Sequence, residues 1–106
     1  FAADVYIGCE VSSDDGCILY FYEVPTFVSV GGRNLALRVA AAITSRVPEL
    51  SVRVIGIRHP VLRETKMPAI LCSMGPIELV ALTTNSLALA ITDAFDAWRE
   101  DPLREI

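Results

Sequence analysis

Few side chains in this sequence of 106 residues could do chemistry, and they are scattered. The one histidine, His59, has no second histidine four residues away, so no helical zinc-binding pair can form. Between Arg58 and Pro60 it reads as a loop residue facing solvent. Cys9, Cys17 and Cys72 have no C-x-x-C spacing, which indicates neither a structural zinc site nor a dense disulfide framework. Cys9 and Cys17 flank a turn and would pair as a disulfide across a hairpin if register and compartment permit, although buried thiols in strands are the weightier expectation. Ser73 lacks the Gly-x-Ser-x-Gly elbow of a serine nucleophile. Gly31-Gly32 lacks the spaced glycines and Lys-Ser/Thr of a phosphate loop. Arg63 and Lys66 could hold a carboxylate by charge-assisted hydrogen bonds, and pairing with Glu64 or plain solvation is at least as good a reading. Tyr20, Phe21 and Tyr22 could stack on sugar rings, but strand alternation must bury at least one of them, which favours core packing.

Composition narrows the function classes. A hydrophobic content of 53% is ample for one packed core, and the length fits a single domain, residues 1–106. The net charge of −4, with nine dispersed Lys and Arg, argues against a nucleic-acid partner. No apolar run approaches the roughly 18 residues of a membrane span, and no signal-peptide pattern opens the chain. The absence of an initiating Met, with Phe1-Ala2-Ala3 leading straight into a strand-like segment, suggests a piece of a longer protein. Its compartment, bacterial envelope or cytoplasm, stays open.

The elements that must position these residues follow from periodicity. Val5 to Val11 is short, apolar and β-prone. Ser12-Ser13-Asp14-Asp15-Gly16 favours a turn, and Cys17 to Val24 reads as the next strand, ended by Pro25. The pair makes a natural hairpin, unless a wider loop sets the two strands apart in the sheet. After Gly31-Gly32, Leu35, Val39, Ile43 and Val47 recur every fourth residue beside Ala36, Ala40 and Ala42, predicting an amphipathic helix that Pro48 stops. Ser51 to Ile57 is a weaker third strand. Pro68 to Gly75 is almost continuously apolar, as in a central strand covered on both faces. Pro76 to Thr84 reads as irregular. Leu87, Ile91, Ala94, Phe95 and Trp98 then share one face of a last helix, capped by Asn85 or Ser86 and ending near Pro102. Strands alternating with helices predict an α/β layer with a partly parallel sheet.

The string Val61-Leu62-Arg63-Glu64-Thr65-Lys66-Met67-Pro68-Ala69-Ile70-Leu71 resembles the signature of the N-acetylmuramoyl-L-alanine amidase type 3 family. Weaker resemblances lie upstream in the family's order: Asp4-Val5-Tyr6-Ile7, like the strand leading to a zinc-binding His, and Gly16-Cys17-Ile18-Leu19-Tyr20-Phe21-Tyr22, like the strand that follows it. The resemblance implies a zinc enzyme that cleaves the amide between muramic acid and L-alanine of peptidoglycan, with a Glu as general base. It places Glu10 where a zinc His is expected, Ser12 where an Asn follows, and Ser73 where the catalytic Glu is expected. A serine hydroxyl cannot act as a base near neutrality. The remaining family ligands would precede Phe1.

These readings predict a three-layer α/β domain with a mixed, mostly parallel sheet flanked by helices, amidase-like (of phosphorylase/hydrolase-like type) and truncated at its N-terminus. The expected function is a degenerate amidase domain that binds a peptidoglycan fragment or a protein partner, with no zinc held by this chain alone. The alternative is an active zinc amidase, completed by upstream residues together with Glu10, Glu64 or Glu78. A truncated sheet would leave an edge open, which makes a homodimer plausible.

Overall fold

The computed structural model describes residues 5–13, 15–64 and 68–101, the side chain of Glu64 excepted. Among the described residues five strands, β1 (Tyr6–Val11), β2 (Gly16–Val24), β3 (Phe27–Val28), β4 (Val52–Ile57) and β5 (Ala69–Gly75), are interleaved with four helices. These are α1 (Val30–Arg46), α2 (Pro60–Glu64), α3 (Ile77–Leu82) and α4 (Thr84–Glu100).

Alternation along β2 puts Cys17, Leu19 and Phe21 on one face of the sheet, where all three are buried. Ile70, Cys72 and Met74 of β5 join them. Onto this face α1 packs Leu35, Ala36, Val39 and Ile43, and α4 packs Leu87, Ala90, Ala94 and Trp98. The Ser29 hydroxyl caps α1, accepting from the Gly32 N–H at 3.2 Å. Gly32 also allows the first turn of α1 to lie close to β5, because a Cβ there would stand 3.0 Å from the Ala69 carbonyl oxygen. The Trp98 indole N–H donates to the Gly31 carbonyl at 3.0 Å, tying the end of α4 to the start of α1. Further along, Arg46 and Asp93 form an exposed ion pair between the same helices.

The expected mostly parallel sheet is corrected. β1 and β5 pair in parallel, as do β2 and β4, but β5 runs antiparallel to β2, and β3 runs antiparallel to β2. Half of the pairings are therefore antiparallel, including the one at the sheet's centre. The cause is the order β1-β5-β2. The turn after β1 reverses the chain as a hairpin turn does, yet β5 inserts between the two strands it joins. A strand parallel to β1 must then oppose β2. Only the β2–α1–β4 unit keeps the parallel crossover that strand-helix alternation predicts.

Both long helices lie on the same face of the sheet. The other face carries Gly8, Glu10, Ile18, Tyr20, Leu71 and Ser73, and no helix as long as α1 or α4 covers it among the described residues.

Locally, α1, β5 and α4 match the periodicities that announce them. β3, α2 and α3 are additional. The stretch after Pro76 is helical, with the Val80 and Thr83 N–H groups donating to the carbonyls of Pro76 and Leu79 at 3.1 Å each, and the Thr83 and Thr84 hydroxyls donate to the carbonyls of Leu79 and Val80, at 2.7 and 2.9 Å, where α3 passes into α4. The last helix accordingly begins at Thr84, ahead of the expected caps, and Thr83 at its N-cap makes no side-chain capping bond.

Candidate functional site

The face of the sheet turned away from α1 and α4 carries Gly8, Glu10, Tyr20, Leu71 and Ser73. A cavity of about 510 Å³ opens on it, lined by Tyr6, Gly8, Cys9, Glu10, Tyr20, Ile57, His59, Leu71, Cys72 and Ser73. Its floor is set by strand register. Glu10 of β1 lies beside Ser73 of β5, and Gly8 lies beside Leu71. On the far side of β5, Tyr20 of β2 is paired with Leu71. Gly8 keeps the floor low, since a Cβ there would meet the Leu71 Cδ2 at 2.9 Å and the Tyr6 hydroxyl at 3.1 Å.

His59 reaches the cavity from the loop after β4. Its Nδ1 accepts a hydrogen bond from the Val61 N–H at 3.2 Å, so the neutral ring carries its proton on Nε2. The reading of His59 as a solvent-facing loop residue is thereby corrected: it is half-buried and part of the cavity wall. A usable signal stood in the sequence. His59 follows directly on the carboxyl end of a strand, and in open α/β sheets ligands collect outside those ends.

The residues singled out from sequence separate into two groups. Glu10 and Ser73, expected at two family positions, come together as neighbours on one floor. Arg63 is exposed on α2, its backbone N–H donating to the His59 carbonyl at 3.0 Å, and it is not among the residues lining the cavity. Lys66 and the side chain of Glu64 lie outside the described residues. Glu78 is exposed in the first turn of α3. Of the three adjacent aromatics, Phe21 joins the core, Tyr20 faces the cavity, and Tyr22 approaches Phe27 with ring centroids 6.1 Å apart.

The donor set can be tested against zinc. A hydrolytic zinc takes three protein ligands and keeps a fourth position for water. Glu10 and His59 are the groups of ligand type whose side chains face the cavity from the uncovered side, and Ser73 supplies a hydroxyl where a carboxylate base is needed. Among the described residues no group of three or more His, Cys, Asp or Glu is placed to hold a metal ion. These donors do not fit the centre, and no hydrolytic step follows from them. What they can do is bind. A carboxylate, a hydroxyl and an imidazole N–H are arranged around apolar and aromatic walls, an environment suited to a polyhydroxylated or amide-bearing ligand.

No family model matches the sequence, and no curated protein matches it either. Solved structures do match. The N-acetylmuramoyl-L-alanine amidase from Clostridium difficile 630 superposes with a TM-score of 0.73 at 19% identity, over 93% of this chain and 59% of that one. N-acetylmuramoyl-L-alanine amidase AmiC2 of Nostoc punctiforme gives 0.68 at 21% identity, over 92% and 59%. The catalytic domain of CwlV, an N-acetylmuramoyl-L-alanine amidase from Bacillus (Paenibacillus) polymyxa var. colistinus, gives 0.64 at 18%, again over 92% and 59%. The fold is thus that of N-acetylmuramoyl-L-alanine amidases, and the chain spans under two thirds of each of these structures. Among the described residues no helix is long and apolar enough to cross a membrane.

Proposed function

We propose that this chain is an amidase-fold domain that binds peptidoglycan fragments in the cavity on the uncovered face of its sheet and does not hydrolyse them. One observation carries the reading: the side-by-side pair Glu10 and Ser73, at the positions where the resemblance calls for a zinc ligand and a general base. Glu10 can accept hydrogen bonds from sugar hydroxyls or peptide N–H groups, and Ser73 can donate or accept. Tyr6 and Tyr20 offer faces against which a pyranose ring packs. Arg63, with Lys66 further along the chain, is the candidate for the carboxylate of a stem peptide, outside the cavity itself.

A second reading has one observation in its favour. Glu10 and His59 share the cavity and are both zinc-ligand types, so a ligand from outside this chain would convert the site into an amidase centre.

The two readings part in one experiment. A soluble N-acetylmuramoyl-L-alanyl peptide is titrated calorimetrically into the protein, with and without one equivalent of zinc, and the mixture is then analysed for free stem peptide. Saturable binding that Tyr20→Ala weakens at least tenfold, with no peptide released, supports the binding domain. Release of peptide that depends on zinc, or no binding at millimolar ligand, overturns it.

A further inference from the structure

On the helix-covered face, behind the cavity, all three cysteines of the chain converge. Cys9 of β1 is the register partner of Cys72 of β5. Cys17 of β2 lies one diagonal step away across the β2/β5 ladder and brings its sulfur to 3.7 Å from that of Cys72. Adjacent strands stand about 4.8 Å apart, so the register partners Cys9 and Cys72 lie inside the Cα separation that a disulfide spans, whereas the diagonal pair Cys17 and Cys72 must close a wider gap between backbones to bond. The conditional pairing of Cys9 with Cys17 across a hairpin gives way to free thiols, because β5 places Cys72 between the two strands.

Access to the three sulfurs is graded. Cys17 and Cys72 are 1% and 2% exposed, whereas Cys9 is exposed on the edge strand. It opens into a shallow groove between β1 and α4, shared with Val11, Met74, Leu87 and Ile91. A hydrogen bond from Cys72 stabilises the Cys9 thiolate and outweighs partial burial, bringing its pKa down to about 7. Cys72 is held far above the ordinary thiol range, first by its hydrogen bond with Cys17, then by that with Cys9 and by burial. Cys72 lowers the pKa of Cys17 too, but Cys17 is buried, so the accessible thiolate is that of Cys9, and a second thiol stands directly behind it.

We propose that Cys9, Cys72 and Cys17 form a thiol relay in which Cys9 attacks a low-molecular-weight disulfide and Cys72 resolves the adduct into an internal disulfide. The Cys9 thiolate attacks one sulfur of the small disulfide, forming a mixed disulfide and expelling one small thiolate. Cys72 gives its proton to the neighbouring Cys17 sulfur as its own sulfur attacks Cys9 Sγ, and the second small thiolate departs in line on the far side and takes a proton from water. Two protein thiols are oxidised by two electrons, and one small disulfide is reduced to two thiols. Attack by Cys17 on Cys72 Sγ then releases Cys9 as a thiol and leaves the oxidation buried as Cys17–Cys72. Cys9–Cys17 is not a product.

The test treats the fully reduced protein with excess oxidised glutathione and follows the products by non-reducing peptide mapping and intact mass. Cys72 is expected in an internal disulfide, with the glutathione adduct confined to Cys9 and transient. Cys9→Ser, a change at an exposed position, should slow loss of the Cys17 and Cys72 thiols at least tenfold. Cys72→Ala should stop the reaction at the Cys9 adduct, with circular dichroism checking that each variant is folded. An internal disulfide forming in Cys9→Ser at the parent rate overturns the relay. So does a parent protein that halts at the Cys9 adduct or yields a Cys9–Cys17 link.

Discussion

The two faces of one sheet are built from the same strands by alternate residues, and they have gone separate ways. On the helix side Leu19, Phe21, Ile70 and Cys72 vanish beneath α1 and α4. On the other side Tyr20, Leu71 and Ser73 remain half-exposed around a cavity. In β5 the division falls between neighbouring residues, Cys72 inward and Ser73 outward. The comparison teaches that the two faces are separable: a change at an odd or even position of the same strand should be felt on one face and barely on the other.

The sharpest way to break that separation is at the core. Trp98→Ala removes a buried indole and its hydrogen bond to Gly31, and we expect a loss of about 3–5 kcal/mol in urea unfolding. A cost under about 1 kcal/mol would mean that the helix face does not carry the fold. Next, Gly32→Ala forces a methyl against the Ala69 carbonyl oxygen, and its strain should outweigh the better helix propensity by about 1 kcal/mol. A stabilised variant in thermal melts would show that the start of α1 can move away from β5.

A third measurement follows the edge shared by both faces. The rate of Cys9 alkylation by iodoacetamide should reach half its plateau near pH 7 and fall below that pH, because only the thiolate reacts and Cys72 lowers the pKa from 9.0. Glu10 is the other titratable group lining the groove at Cys9. In Cys72→Ala the midpoint should move up towards the ordinary thiol range near 8.5. An unchanged midpoint would remove Cys72 as the cause. The smallest effect is expected on the open face, where Ser73→Ala should alter unfolding free energy by no more than about 0.5 kcal/mol. A larger loss would make Ser73 part of the folded framework.

The sequence made these faces legible to different degrees. Leu35, Val39 and Ile43 reveal α1 because helical period and burial coincide, and Trp98 was correctly placed on the core stripe of α4. Tertiary pairing left no such trace. Nothing in Ser12 to Gly16 distinguishes a hairpin turn from one whose strands are parted by β5, since the deciding partner lies in the other half of the chain. The run Ala69-Ile70-Leu71-Cys72 reads as covered on both faces, yet Leu71 turns out to line a cavity. The site was partly readable. Resemblance singles out Glu10 and Ser73, and register makes them neighbours, whereas His59 belongs to no motif and its signal, a place just past the carboxyl end of β4, is positional alone. The proximity of the three cysteines was hidden for the same reason as the strand order.

That strand order also fixes a sequence of events in time. β2, α1 and β4 follow one another closely, with only the short β3 between the first two, and can assemble from nearby segments, but β1 has its sheet partner in β5, with Tyr6 pairing to Ala69, 63 residues on. Closing so long a loop is entropically costly and slows the contacts that depend on it. The junction of β1 with β5 should therefore form late as the protein folds and be among the first places to open. Glu10 and Ser73 on one side of that junction, and Cys9 and Cys72 on the other, then come into being together. Amide hydrogens along β1 would exchange with solvent well before those of β2.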